Sequence, residues 1–219
     1  MSLNSLLSDH FAVHVNAPHN GMKATKKQRR QKDLMENKNW YAIMTEQGQE
    51  YNSAELIKRV VPCSLCTLCS IPKKAKPFRH GGVYYATEDI LFPGYVFAQT
   101  AHAEELRREL QKSREFPQFP VFGKDKEGND QLIPISEKDL AFLQEVCGGQ
   151  LQSVMGITDI TLGEDKRILR ARGVLEHYVG QVVKLNLHKR IAVTRVELFN
   201  RSQDIFFGIR LKQDVYQAG

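Results

Sequence analysis

The 219-residue sequence contains no apolar run near the roughly 20 residues that a bilayer-spanning helix needs, so no membrane association is expected. It lacks the charged start and apolar block of a secretion signal. Residues 3–15 are only patchily apolar, and Asp9 and His10 interrupt them. Cysteine is sparse, with Cys63, Cys66, Cys69 and Cys147 alone. Without a secretion signal these read as reduced thiols of a cytoplasmic protein, not as a disulfide framework. A phosphate loop, GxSxG and HExxH are all missing, and the seven histidines are scattered. No enzyme activity and no cofactor are therefore expected. Internal repeats and low-complexity segments are also missing.

What is present suits a folded protein. Hydrophobic residues make up 42% and charged residues 26%, with a formal net charge of +6. That excess permits an anionic partner without requiring one. The charge is uneven. Residues 1–39 carry seven Lys/Arg against three Asp/Glu, residues 40–147 thirteen against fifteen, and residues 148–219 eleven against seven. The middle of the chain is thus no general polyanion binder. Residues 1–39, with the basic run Lys23 to Lys32, read as a disordered basic tail.

From Trp40 the pattern becomes regular. WYAIMT reads as a strand. Tyr51, Ala54, Ile57 and Val61 recur at helical spacing, and Pro62 ends that helix. Leu68 to Pro72 predicts a short strand and residues 73–82 a basic loop or hairpin tip. Strands are expected over Val83–Ala86 and Ile90–Gln99, then a helix over 101–112 and an extended piece over Phe116–Phe122. Ser136 caps a last helix that Gly148-Gly149 stops, with Asp139 in capping-box position. Residues 40–147 therefore predict an α+β domain, an antiparallel sheet with helices packed on it. Residues 148–158 read as a linker. Four or five short strands over 159–219 predict a small all-β barrel: Arg167–Arg172, Val179–Leu187, Ile191–Leu198 and Ile205–Leu211.

Three features then align: Trp40-Tyr41 in the first strand, Leu91-Phe92-Pro93-Gly94-Tyr95-Val96-Phe97 some 50 residues later, and Gly173-x6-Gly180 followed by Val182-Val183. In this order the chain resembles the NusG family of transcription elongation factors from residue 40 to about 213. The resemblance implies a NusG N-terminal fold followed by a KOW barrel. Cys69-Ser70-Ile71-Pro72 leading to ILFPGYVF, and His188-Lys189-Arg190 with Ile191-Ala192, are most similar to the specialised LoaP, UpxY and RfaH paralogs. Those paralogs act as antiterminators on selected operons.

The resemblance implies a monomeric, non-enzymatic regulator. Its first domain would dock on the clamp of the largest RNA polymerase subunit through Trp40, Tyr41, Phe92, Tyr95 and Phe97. Aromatic side chains suit such a surface because they bury much area with few torsions to freeze. Tyr95 and Phe92 are the favoured contacts, and Trp40 is expected to be partly structural. Lys73, Lys74, Lys76, Arg79 and His80 beside Phe78 are candidates for contacting non-template DNA. Lys184, His188, Lys189, Arg190, Arg195 and Arg201 are expected to cluster around two adjacent barrel turns and to hold nascent RNA, as a leader hairpin. A rival within the family is a general factor whose barrel binds Rho or a ribosomal protein. An apolar barrel edge would favour it, and one of Phe206 and Phe207 must face outward in a regular strand. A ribosome-associated RNA-binding protein is a further rival. Cys63, Cys66 and Cys69 at two-residue intervals suggest a last one, a metal protein, which would need a fourth ligand from remote Cys147 or from His80.

Overall fold

The computed structural model describes residues 38–112 and 132–217. The extended piece expected at Phe116–Phe122 and the tail 1–37 lie outside the described residues. Strand β1 is Asn39–Met44, followed by helix α1, Glu50–Val60. The helix ends where Val61 turns extended ahead of Pro62, which cannot continue it. Strands β2 (Leu68–Ser70), β3 (Lys73–His80), β4 (Val83–Ile90) and β5 (Tyr95–Thr100) come next, then helices α2 (Ala103–Gln111) and α3 (Glu137–Cys147). At α3 the Ser136 hydroxyl accepts from the Asp139 amide at 3.1 Å, the cap expected from the sequence.

β5 lies between β1 and β2, antiparallel to both. Alternation gives this sheet two apolar faces. On one, Ile43, Val96 and Ala98 pack against Ile57 of α1 and Leu106 and Leu110 of α2. On the other, Trp40 and Phe97 pack with Phe142 and Leu143 of α3.

Of the two readings of the basic segment 73–82, the hairpin holds and the loop does not. Lys73–His80 is a full strand paired with β4, and only Gly81 and Gly82 turn, at φ +57° and +86°. Lysine and Pro77 disguised it, because both are poor strand formers. Pro77 is tolerated since β3 has a second neighbour, β6 (Val154–Met155), only at Lys73 and Lys74. Residues 148–158, expected as a linker, are held in the core: Leu151 and Met155 are fully buried, and the Ser70 hydroxyl donates to the Leu151 carbonyl.

The remaining strands are β7 (Thr158–Leu162), β8 (Ile168–Arg172), β9 (Val182–Asn186), β10 (Ile191–Leu198) and β11 (Arg201–Leu211). They form one sheet in the order β8-β7-β11-β10-β9. β7 was not anticipated, and Val174–Gln181 is a 3-10 helix where a strand was expected from Val179. The architecture is thus α+β followed by a β-rich C-terminal region. One apolar cluster runs from Trp40, Phe92 and Phe97 through Leu151 and Met155 to Leu198, Phe207 and Ile209, so both regions share a core. A close approach is at Gly208 of β11. A Cβ there would lie 2.8 Å from the Ala75 carbonyl oxygen and 2.9 Å from Pro77 Cδ.

Candidate functional site

The aromatic surface is built around the Pro93-Gly94 turn. Gly94 has φ +84°, a conformation that favours glycine. Its amide donates to the Glu50 carboxylate at 2.7 Å, and the Gly48 amide donates to the other carboxylate oxygen at 2.8 Å. Glu50 is buried, so this carboxylate pins the turn to the start of α1. Because the chain turns between Phe92 and Tyr95, strand alternation does not separate them. Phe92 and Phe97 lie in one cluster with ring centroids 5.9 Å apart, and Tyr95 packs beside them.

Phe199 sits on that pair, 5.6 Å from the Phe92 ring and 6.1 Å from the Phe97 ring. It occupies the β10–β11 turn, where Phe199 and Asn200 take φ +55° and +58°. A bulky aromatic in the left-handed region is unusual and strained. The turn is held by the buried Asp139 carboxylate, which accepts from the Phe199 amide at 3.1 Å. Arg201 donates to the Tyr95 hydroxyl at 3.3 Å. Beside this plug runs an open groove of about 460 Å³, lined by Ala42, Met44, Tyr95, Ile133, Ile135 and Phe199. Of the five aromatics singled out in the sequence, Trp40, Phe92 and Phe97 are buried, Tyr95 is half-buried at the groove, and Tyr41 faces the helix side of the sheet.

The barrel cations do not form one patch. The turn with His188 and Lys189 and the turn next to Arg201 lie at opposite ends of β10, about 24 Å apart for an eight-residue strand. Arg190 is committed elsewhere: it binds Asp214 in a bidentate pair at 2.7 and 2.6 Å. Its guanidinium also lies 5.1 Å from the centre of the Tyr84 ring. Arg195 pairs with Asp204 at 2.8 Å. Lys184, His188 and Lys189 remain exposed.

The cations of β3 alternate between two faces and are largely paired. Lys73 meets Glu88 at 2.8 Å and Lys76 meets Asp89 at 3.5 Å. Lys74 lies over the Phe206 ring at 5.6 Å, and burial pushes its pKa down. Arg79 lies over Tyr84 at 5.5 Å, leaving His80 and the exposed Phe78 at the hairpin tip.

The cysteine run does not converge. Cys63 is exposed, while Cys66 and Cys69 are half-buried and hydrogen-bonded to each other, which lowers the Cys66 pKa. Burial raises the Cys147 thiol to about 11. Among the described residues no group of three or more His, Cys, Asp or Glu could hold a metal. No described helix is long and apolar enough to cross a membrane.

Four residues at the junction carry little sequence signal. Glu50 looks like an ordinary surface acid, and the capping-box position of Asp139 does not announce its bond to Phe199. Tyr84 and Tyr216, stacked at 5.4 Å, join β4 to the end of the chain across 132 positions. Phe199 did offer a clue: an aromatic in a turn beside Asn200 is a costly choice for a solvated loop.

Residues 38–144 match the family described as "Transcription termination factor nusG". Among solved structures, one titled "Domain interaction in Thermotoga maritima NusG" is similar, at 18% identity and a TM-score of 0.43, covering 78% of this chain and 93% of that one. No curated protein is significantly similar in sequence. Residues 38–144 are therefore a NusG-family domain.

Proposed function

We propose that this protein is a transcription elongation and antitermination regulator that binds RNA polymerase through its N-terminal domain and nucleic acid through its C-terminal strands. The observation that carries the first part is the NusG-family match over residues 38–144, a family whose members generally bind the polymerase. The groove beside Tyr95 suits that partner, since exposed Met44 and Ile133 flank a half-buried tyrosine whose hydroxyl meets Arg201 at the rim. A coiled-coil element of the polymerase clamp would seat there after Phe199 withdraws. The arrangement is thus a closed form, in which the chain's own turn occupies part of its docking surface. Recruitment by a leader RNA hairpin, as in the LoaP and UpxY paralogs, is the finer reading. It rests on the Cys69–Pro72 and His188–Ala192 segments and on the exposed Lys184, His188 and Lys189.

A second reading has its own support. Phe206 of β11 is 46% exposed and Val183 of the edge strand β9 is 51% exposed, on either side of β10, while Phe207 is fully buried. That apolar edge suits a protein partner such as Rho or a ribosomal protein.

The test is single-round transcription with purified polymerase on templates with and without an RNA leader. Increased readthrough, lost in Tyr95→Ala together with Met44→Ala, supports the proposal. Absence of any polymerase binding or effect on elongation would sink it. Readthrough without any leader requirement, abolished by Phe206→Ser, favours the protein-binding barrel.

A further inference from the structure

We propose that the outer face of β8, β7 and β11 is a phosphate-binding surface for a single nucleic-acid strand, continued past Tyr216 towards Arg79. It rests on the reading that this protein contacts nucleic acid, and it relocates that contact away from the β9–β10 turn.

The register builds the surface. Asp159 of β7 is paired with Arg172 of β8 on one side and Arg210 of β11 on the other. One row across three strands therefore reads Arg172, Asp159, Arg210. Two residues along β7, Thr161 is paired with Arg170. Lys212 follows directly after β11, at the same end. Alternation puts Arg170 and Arg172 on one face while Ala171 between them is buried. With strands about 4.8 Å apart, Arg172 and Arg210 stand about 10 Å from each other. These residues line an open cleft of about 520 Å³, with Asp214 and Tyr216 at its end.

The charge balance identifies the ligand. Asp159 is already met by Arg210, at 2.5 and 2.9 Å, and Asp214 by Arg190. Arg170, Arg172 and Lys212 are exposed and form no ion pair with the described residues. Three unneutralised cations thus face one cleft whose acids are spoken for. Arginine suits phosphate oxygens because its planar fork donates in pairs to two oxygens of one group. The cleft is continuous with a cation–aromatic stack. Arg210 lies 5.4 Å from the Tyr216 ring centre, Tyr216 stacks on Tyr84, and Arg79 lies 5.5 Å from Tyr84. The basic β3–β4 hairpin and the barrel, separate in the sequence, thus present one band. A surface open along its length fits a chain of phosphodiesters and not a single small anion.

The experiment uses the full chain and anisotropy of 5′-labelled 20-nucleotide oligouridylate, oligothymidylate and an RNA hairpin, each in a salt series. Two triple variants are compared, R170A/R172A/K212A and K184A/H188A/K189A, with Arg172→Lys as a charge-retaining control and melting curves as the check on folding. The first triple is expected to weaken binding at least about tenfold. It should also flatten the slope of log K against log salt by about 2, since each single-strand phosphate contact contributes about 0.7. Arg172→Lys should keep the parent's salt slope and lose affinity only slightly, since it retains the charge but not the paired donation. Tighter oligouridylate binding assigns the strand as RNA, and equal binding assigns the site to the shared phosphodiester. If only the turn triple loses binding, the proposed surface is wrong while the nucleic-acid reading stands. If the parent binds none of the three, both fail.

Discussion

Gly208→Ala tests the close approach of β11 to β3. The φ of Gly208 is outside the left-handed region, so backbone strain does not enter and space alone decides. An added methyl would lie 2.8 Å from the Ala75 carbonyl oxygen, 2.9 Å from Pro77 Cδ and 3.2 Å from Ile157 Cγ1. Two of these neighbours are backbone or a proline ring, neither of which can rotate away. Overpacking of this kind costs about 1–3 kcal/mol. Against it stands the gain of about 0.4–1 kcal/mol from stiffening the unfolded chain. At the middle of both ranges the overpacking dominates, and the net loss of about 1.3 kcal/mol lowers Tm by roughly 3–5 °C at about 2–4 °C per kcal/mol for a unit of this size. The assay is thermal unfolding followed by Trp40, the sole tryptophan, which is buried in the shared cluster. Hydrogen exchange over residues 73–80 and 201–211 should rise in parallel. A Tm that increases would refute the reasoning, because only a glycine with open space around it gains from a methyl group.

Phe199→Asn should keep the turn, since asparagine tolerates positive φ, while removing the ring from Phe92 and Phe97; dye binding to the uncovered surface should increase, and unchanged dye binding would contradict the plug. Glu50→Ala leaves the Gly48 and Gly94 amides without their acceptor and should destabilise by about 1–3 kcal/mol for each that stays dry, read by chemical denaturation; a change below about 0.5 kcal/mol would place Glu50 among ordinary surface positions. Burial raises the Asp214 carboxyl, but the Arg190 guanidinium and the Leu211 amide lower it further, to a net value below the usual 3.8. A depressed carboxyl stabilises the fold above pH 3.8 and loses that contribution as pH falls through its folded value. The Tyr84–Tyr216 signal in near-ultraviolet circular dichroism should therefore persist at pH 5 and fade only below pH 4, and in Asp214→Asn it should be weak at every pH.

Much of the fold was legible because period and punctuation agree in it. Ser136 and Gly148 bracket α3, and β10 falls on the alternating run Ile191–Leu198. Misreadings arose where tertiary contacts override local preference. The lysines of β3 look like loop residues because the charge is compensated across the hairpin by Glu88 and Asp89, which a local reading does not connect. The barrel cations look like a cluster because they are close in sequence. The length of β10 separates them, and the Asp214 carboxylate, 24 positions downstream, takes Arg190 out of the set. Arg170, Arg172 and Lys212 are brought together by β7, a strand the sequence had not marked.

The end of the chain has a further consequence. The Tyr84 amide donates to the Val215 carbonyl at 2.9 Å, and the Gln217 amide donates to the Tyr84 carbonyl at 3.0 Å, so residues 215–217 act as a short extra strand along β4. β4 is an edge of its sheet, and bare edges recruit other chains. Lifting the C-terminal strands would expose an unpaired edge and an aromatic face in one motion. If the proposed opening takes place, opening without a partner at hand would therefore be penalised by self-association, and solubility would limit when it could occur.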